Sequence, residues 1–129
     1  MSLDIDLYFE VQTGNTEEPI LQQEVFSANI THNLNRMADK ASMYKALWYL
    51  TKTEDDFYPR VDRDIPITLA KELLPYLEHG LNQLKTYPEF FKQFSAYNGW
   101  GTYEQFIPWL DKLIEACKQY PNALLKVSR

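Results

Sequence analysis

Asp4-Ile5-Asp6-Leu7-Tyr8-Phe9-Glu10-Val11 decides the fold class. Ile5, Leu7, Phe9 and Val11 alternate with Asp4, Asp6, Tyr8 and Glu10. Successive side chains of a strand point to opposite faces, so this alternation predicts a half-buried strand with one apolar and one wet face. Thr13-Gly14-Asn15 is a turn signal, and Thr16-Glu17-Glu18-Pro19 prolongs it. From Ile20 to Ile30 the strand pattern resumes, with Leu21, Val25 and Phe26 apolar. Two such runs in succession predict an antiparallel hairpin with a longish loop. At the far end of the chain, Ala123 to Val127 follows Pro121-Asn122 and is expected to add a last strand beside the hairpin.

Between these strands the apolar period changes to that of a helix. Asn29 or Thr31 can cap a first helix whose inner face is Leu34, Met37, Ala38 and Ala41. Ser42 is expected to open a short second one through Tyr44, Leu47 and Trp48. Thr68 to Leu84 is strongly amphipathic, with Pro75 marking either a kink or a new start. Pro88 opens a short helix through Phe94. Thr102 caps the last helix, which carries Phe106, Leu110, Leu113, Ile114 and Cys117, with Pro108 early in it. The expected fold is α+β: a small antiparallel sheet, made of the N-terminal hairpin and a C-terminal strand, packed against four or five helices on one face. Residues 1–129 read as a single domain, with 51–67 an exposed loop or insertion.

A chain of 129 residues buries roughly two thirds of its unfolded surface, enough for a core without staples. Eighteen acids against 13 bases give a net charge of −5, which argues against a nucleic-acid binder. The single cysteine, Cys117, lies in a helical pattern among apolar neighbours and reads as a buried, inert thiol. The first residues lack the basic and apolar regions of a secretion signal, and no run is long enough to span a membrane. The expectation is a cytoplasmic protein that does not engage membranes. No phosphate-binding loop, nucleophile elbow, dinucleotide fingerprint or zinc-protease pair is present, so the sequence names no cofactor.

Two polar segments stand out because packing alone does not call for them. One is Asn29-Ile30-Thr31-His32-Asn33 and the other Asn98-Gly99-Trp100-Gly101-Thr102-Tyr103-Glu104. Each sits at an expected helix start, where backbone N–H groups have no intrahelical acceptor and can hold a ligand or an anion. His32 is a candidate base, metal ligand or ligand donor, or else a histidine bonded to nearby backbone. Trp100, between two glycines, is either a plug that seals the core or a platform on which a ring can stack. Asn98 supplies a turn or a ligand contact. Thr102 and Glu104 are explained by capping and the helix dipole; the functional alternative makes Glu104 an acid facing His32 and Tyr103 a ring on a pocket wall. His79, in Glu78-His79-Gly80, is expected to face solvent. Asp55, Asp56, Asp62 and Asp64 match no calcium-loop spacing and read as a solvated loop, so no metal site is expected.

Asn29-Ile30-Thr31-His32-Asn33-Leu34 followed by Met37-Ala38, the pair Leu47-Trp48, the segment Asn98 to Glu104, and the ending Val127-Ser128-Arg129 resemble a family of small hypothetical proteins of bacteria and their phages. The likeness covers most of the chain and is weak over residues 51–67. It implies a bacterial or phage origin and an intact single domain. It supplies no reaction, but it makes the two polar segments look like one signature and hence one site. The resulting expectation is a non-enzymatic binding module. It would hold a small polar or anionic ligand at paired helix N-termini through Asn29, Thr31, His32, Asn33, Asn98, Trp100, Thr102, Tyr103 and Glu104. Two rivals remain open. One is a small hydrolase or transferase using His32 and Glu104. The other is an interaction module that meets a protein partner, or a second copy of itself, through exposed aromatics.

Overall fold

The computed structural model describes residues 2–49 and 67–128. Strand β1 (Ser2–Gln12) lies at the centre of a three-stranded antiparallel sheet, between β2 (Ile20–Thr31) and β3 (Leu124–Ser128). The helices are α1 (Asn35–Lys40), α2 (Ala70–Thr86), α3 (Pro88–Lys92) and α4 (Tyr103–Gln119), with a 3-10 turn at His32–Leu34 and a π-helical turn at Lys45–Tyr49. This is the small α+β architecture that the alternation in β1 predicts. The expected loop at 51–67, with its four aspartates, lies outside the described residues except at Ile67, which is buried.

The period-two pattern holds from Leu3 to Leu7 and fails beyond it, where Tyr8 is buried and Val11 is exposed. Leu3, Ile5 and Leu7 are fully buried and meet Ile30, Ala28 and Phe26 of β2 in register. Leu125 and Val127 of β3 complete this apolar face opposite Leu7 and Ile5. On the other face Asp6 accepts a hydrogen bond from Ser27 Oγ at 2.7 Å, and Asp4 accepts one from Asn29 Nδ2. The register shifts between Leu7 and Tyr8, where Val25 is the extra residue of β2. Such a bulge bends and twists the strand pair. Beyond it, Phe9 packs edge-on against Tyr120 at the end of α4, with ring centroids 6.3 Å apart. The loop reverses as expected: Gly14 has φ +77° and Thr13 N donates to Pro19 O at 3.0 Å.

The helical layer is led by α2 packed on α4. Leu73, Leu77 and Leu84 of α2 and Phe106, Leu110 and Leu113 of α4 are fully buried. Pro75 and Pro108 each stand sixth in their helices, and neither starts a new one. Both prolines are exposed, on the solvent side of their helices, where the loss of one backbone hydrogen bond costs least. Gly80 is a helical glycine with a packing reason: a Cβ there would run into the side chain of the buried Met43. His79 beside it is exposed, as expected.

Ser42 departs from expectation. It has φ +65°, Ser42 N donates to Asp39 O at 3.0 Å, and Met43 N donates to Ala38 O at 2.8 Å. This pair of bonds closes the C-terminus of α1 with a left-handed residue, so Ser42 ends a helix rather than opening one.

Cys117 is fully buried on α4. Burial pushes its thiol up from 9.0 to about 12, because ionisation would place a charge in a low-dielectric interior. The native state therefore keeps a proton that the unfolded chain loses. This contribution to stability is intact below pH 9.0 and is lost as the pH rises from 9.0 toward about 12. Urea midpoints are expected to fall more steeply with pH over that window in the native sequence than in Cys117→Ala. Parallel slopes would mean that the thiol ionises equally well in the folded state.

Candidate functional site

The two polar segments meet. The 3-10 turn that follows β2 and the loop that precedes α4 lie side by side, joined by a 2.7 Å hydrogen bond from Asn33 Nδ2 to Trp100 O. Gly101 makes this approach possible. Its φ is +108°, and a Cβ built on it would lie 2.9 Å from Asn33 Cβ and 3.1 Å from Thr31 Cγ2. An open cleft of about 820 Å3 runs along the junction.

On the β2 side, Thr31 is extended, and its hydroxyl accepts from Asn33 N at 3.3 Å, capping the 3-10 turn. Asn29 is not a cap. It is still within β2, where Asp4 takes its amide. Asn29, Thr31, His32 and Asn33 all line the cleft, with Ser2, the register partner of Thr31, beside them.

On the α4 side, a hydrogen-bonded frame fixes the loop. Asn98 Oδ1 accepts from Trp100 N at 3.0 Å, the turn that asparagine favours through its own backbone. Gly101 O accepts from Ala96 N at 2.9 Å. Gln105 Oε1 accepts from both Gly101 N and Thr102 N, each at 3.0 Å, and its Nε2 donates to Gly99 O at 3.1 Å. Thr102 Oγ1 returns the cap by accepting from Gln105 N at 3.3 Å. Together these make a reciprocal capping box. Trp100 thus has both backbone groups engaged while its side chain remains 72% exposed. Of the two roles open to it in the sequence, the core plug is excluded.

Three expected site residues do not line the cleft. Tyr103 turns away: its hydroxyl donates to Leu84 O at 2.9 Å, its N–H donates to Ser95 Oγ at 2.8 Å, and Lys92 Nζ lies 5.6 Å from its ring centroid. It fastens the start of α4 to α2 and α3. Thr102 is spent on its cap, and Glu104 is exposed in the first turn of α4. Glu104 therefore does not join His32 in the cleft wall. The idea of unsatisfied N–H groups at the helix starts needs correcting too. The N–H groups of Gly101, Thr102, Tyr103 and Gln105 already donate to side chains of the same loop and helix. The turn that carries His32 is only three residues long.

Ser2 of β1 lines the cleft without a signal in the sequence, and Gln105 and Trp109, one helical turn apart on α4, also escape the sequence reading. Gln105 carried a signal in its spacing, Thr102-x-x-Gln105. Trp109 lies in an apolar stripe and stacks on the buried Phe106, with ring centroids 6.1 Å apart and an interplanar angle of 28°. Its Nε1 is buried and has no hydrogen-bond partner among the described residues.

Gln105→Ala removes three hydrogen bonds from the frame. Because Gln105 is exposed and water replaces part of the loss, the expected cost is about 1–2 kcal/mol. Amide exchange at Gly101 and Thr102 should accelerate, since Gln105 accepts from both; unchanged exchange there would show that another group holds the loop.

Among the described residues no helix is long and apolar enough to cross a membrane, and no three histidine, cysteine, aspartate or glutamate side chains gather as a metal site. Comparison of the chain with models of protein families, with curated proteins and with solved structures finds no match.

Proposed function

We propose that the protein is a non-enzymatic binding module that holds a small polar ligand in the cleft between Asn29–Leu34 and Asn98–Gln105. The observation that carries this reading is the exposed indole of Trp100, held at the cleft by a loop whose backbone is pinned on both sides. A large ring kept in water by a rigid frame costs stability, and a protein recovers that cost when a ligand covers the ring. The cleft is of the size that small-molecule sites have, about 300–1,000 Å3. The ligand's partners are chiefly side chains, because the N–H groups of Gly101, Thr102, Tyr103 and Gln105 are already accepted by side chains of the loop and helix. A bacterial or phage source for this module rests on the motif resemblance alone.

The test is a titration of 15N-labelled protein with mixtures of nucleosides, sugars, amino acids and their phosphates, reading the indole N–H signals. Saturable shifts of the Trp100 and Trp109 indoles support the reading. Shifts confined to amides remote from the cleft sink it.

A second reading is favoured by the rings on the segment between α2 and α4. Tyr87 is 62% exposed, Phe90 48%, and Tyr97 fully exposed. These fit a protein-interaction surface. Sedimentation that shows self-association, abolished by Tyr97→Ala and Phe90→Ala together but not by Trp100→Ala, would favour it.

A further inference from the structure

We propose that the ligand is a neutral, hydroxyl-rich ring, a pyranose sugar or a short chain of them, stacked on Trp100; this inference rests on the reading of the cleft as a small-molecule site. Three observations converge on that class.

The first is charge. Among the described residues, no Asp, Glu, Lys or Arg lines the cleft, and His32 is the only titratable side chain there. In a chain with 31 Asp, Glu, Lys and Arg side chains (18 acidic plus 13 basic), a cleft faced by amides and hydroxyls is a selective surface. A phosphate or carboxylate entering it would find no Lys or Arg, and an ammonium no Asp or Glu, to replace the water it sheds, which is costly. The N–H groups of Gly101, Thr102, Tyr103 and Gln105, which would otherwise be open to an anion, are taken by Gln105, Ser95 and Thr102.

The second is the pairing of donors with acceptors. Carboxamides offer both, and so does every sugar hydroxyl. Asn33 donates through Nδ2 to one loop carbonyl and keeps Oδ1 for a ligand, while Gln105, whose Oε1 already accepts from Gly101 N and Thr102 N, offers only its second Nε2 hydrogen; these bonds fix the planes of both amides before any ligand arrives. Thr31 and Ser2 add hydroxyls on the β2 side.

The third is the indole itself. The ring face is electron-rich and attracts the weakly positive C–H groups of a saturated ring's apolar face. Trp100 offers such a face at 72% exposure, on a backbone already ordered by Asn33 and Asn98, so stacking loses little conformational freedom.

The experiment titrates the 15N-labelled protein separately with gluco-, galacto-, manno- and N-acetylated mono- to tetrasaccharides, with adenosine, with AMP and with inorganic phosphate. Each runs to about 10 mM, above the millimolar dissociation constants of weak sites. The expected result is a saccharide that shifts Trp100 and Trp109 saturably, bound at least about tenfold tighter than AMP. Trp100→Ala should then weaken it about tenfold or more, while Trp100→Phe, which keeps a ring, retains part of the binding. Adenosine or AMP binding tighter than every saccharide at the same signals overturns the sugar assignment and leaves the cleft intact as a ligand site. Silence of those signals to every probe overturns both.

Discussion

Gly101→Ala is expected to destabilise the domain by about 2–4 kcal/mol, the sum of backbone strain and steric overlap. The glycine has φ +108°, a region that side chains rarely adopt. The added methyl would sit 2.9 Å from Asn33 Cβ and 3.1 Å from Thr31 Cγ2, so one of these must move. Neither moves freely. Thr31 is the last residue of β2, paired with Ser2, and Asn33 donates to the carbonyl of Trp100, immediately before the glycine. Relief of the overlap therefore pulls apart the junction on which the cleft depends. Gly99→Ala is the control. Gly99 has φ +81° and nothing within 4 Å of its notional Cβ, so it bears strain without overlap, about 1–2 kcal/mol. Urea unfolding of the two variants separates the terms, and the difference between them is the cost of prising the segments apart. Equal destabilisation would mean that the two segments do not dock as tightly as the distances state.

How much of this was legible before the structure differs residue by residue. The sheet was, because Ile5, Leu7 and Phe9 alternate with acids and polar groups, and a period of two is the mark of a strand with one buried face. The bulge at Val25 was not: a register shift is a property of two strands, and the adjacent apolar pair Val25-Phe26 does not by itself say which residue the partner strand skips. Ser42 misled because serine is a common helix opener, whereas left-handed closure is signalled by glycine or asparagine. Trp100 was open to two readings, since the flanking glycines permit the ring to point inward or outward; only the bonds of Asn33 and Asn98 to its backbone decide. Gln105 has a local signature in Thr102-x-x-Gln105, but the neighbouring acid Glu104 also suits the first turn of a helix through the dipole and obscures it. Six of the nine expected site residues line the cleft, and the other three share one cause. Thr102, Tyr103 and Glu104 follow the loop into α4, where the turn of the helix carries their side chains to capping, to α2 and to water.

Phe106→Ala carries the largest expected loss, about 3–5 kcal/mol, from lost burial plus the cavity left behind. Phe106 is fully buried and its N–H donates to Thr102 O at 3.0 Å, so it sits on the first turn of α4 directly beneath the capped loop. Its ring supports Trp109 by stacking, and Trp109 in turn forms part of the cleft wall. The core and the site are thus one stack: Phe106 in the interior, Trp109 above it, then the cleft. Phe106→Leu keeps most of the volume and should lose no more than about 1.5 kcal/mol. The two variants test separate claims. The loss in urea midpoint for Phe106→Ala, at unchanged slope, measures how well the core closes under the cleft. The Trp109 indole signal in the still-folded Phe106→Leu protein reports whether flat aromatic support, and not mere bulk, orients the wall. A native-like Trp109 shift in Phe106→Leu would show that bulk suffices. A cost below about 2 kcal/mol for Phe106→Ala would show that the surrounding side chains collapse into the gap, and that the cleft floor is softer than its packing states.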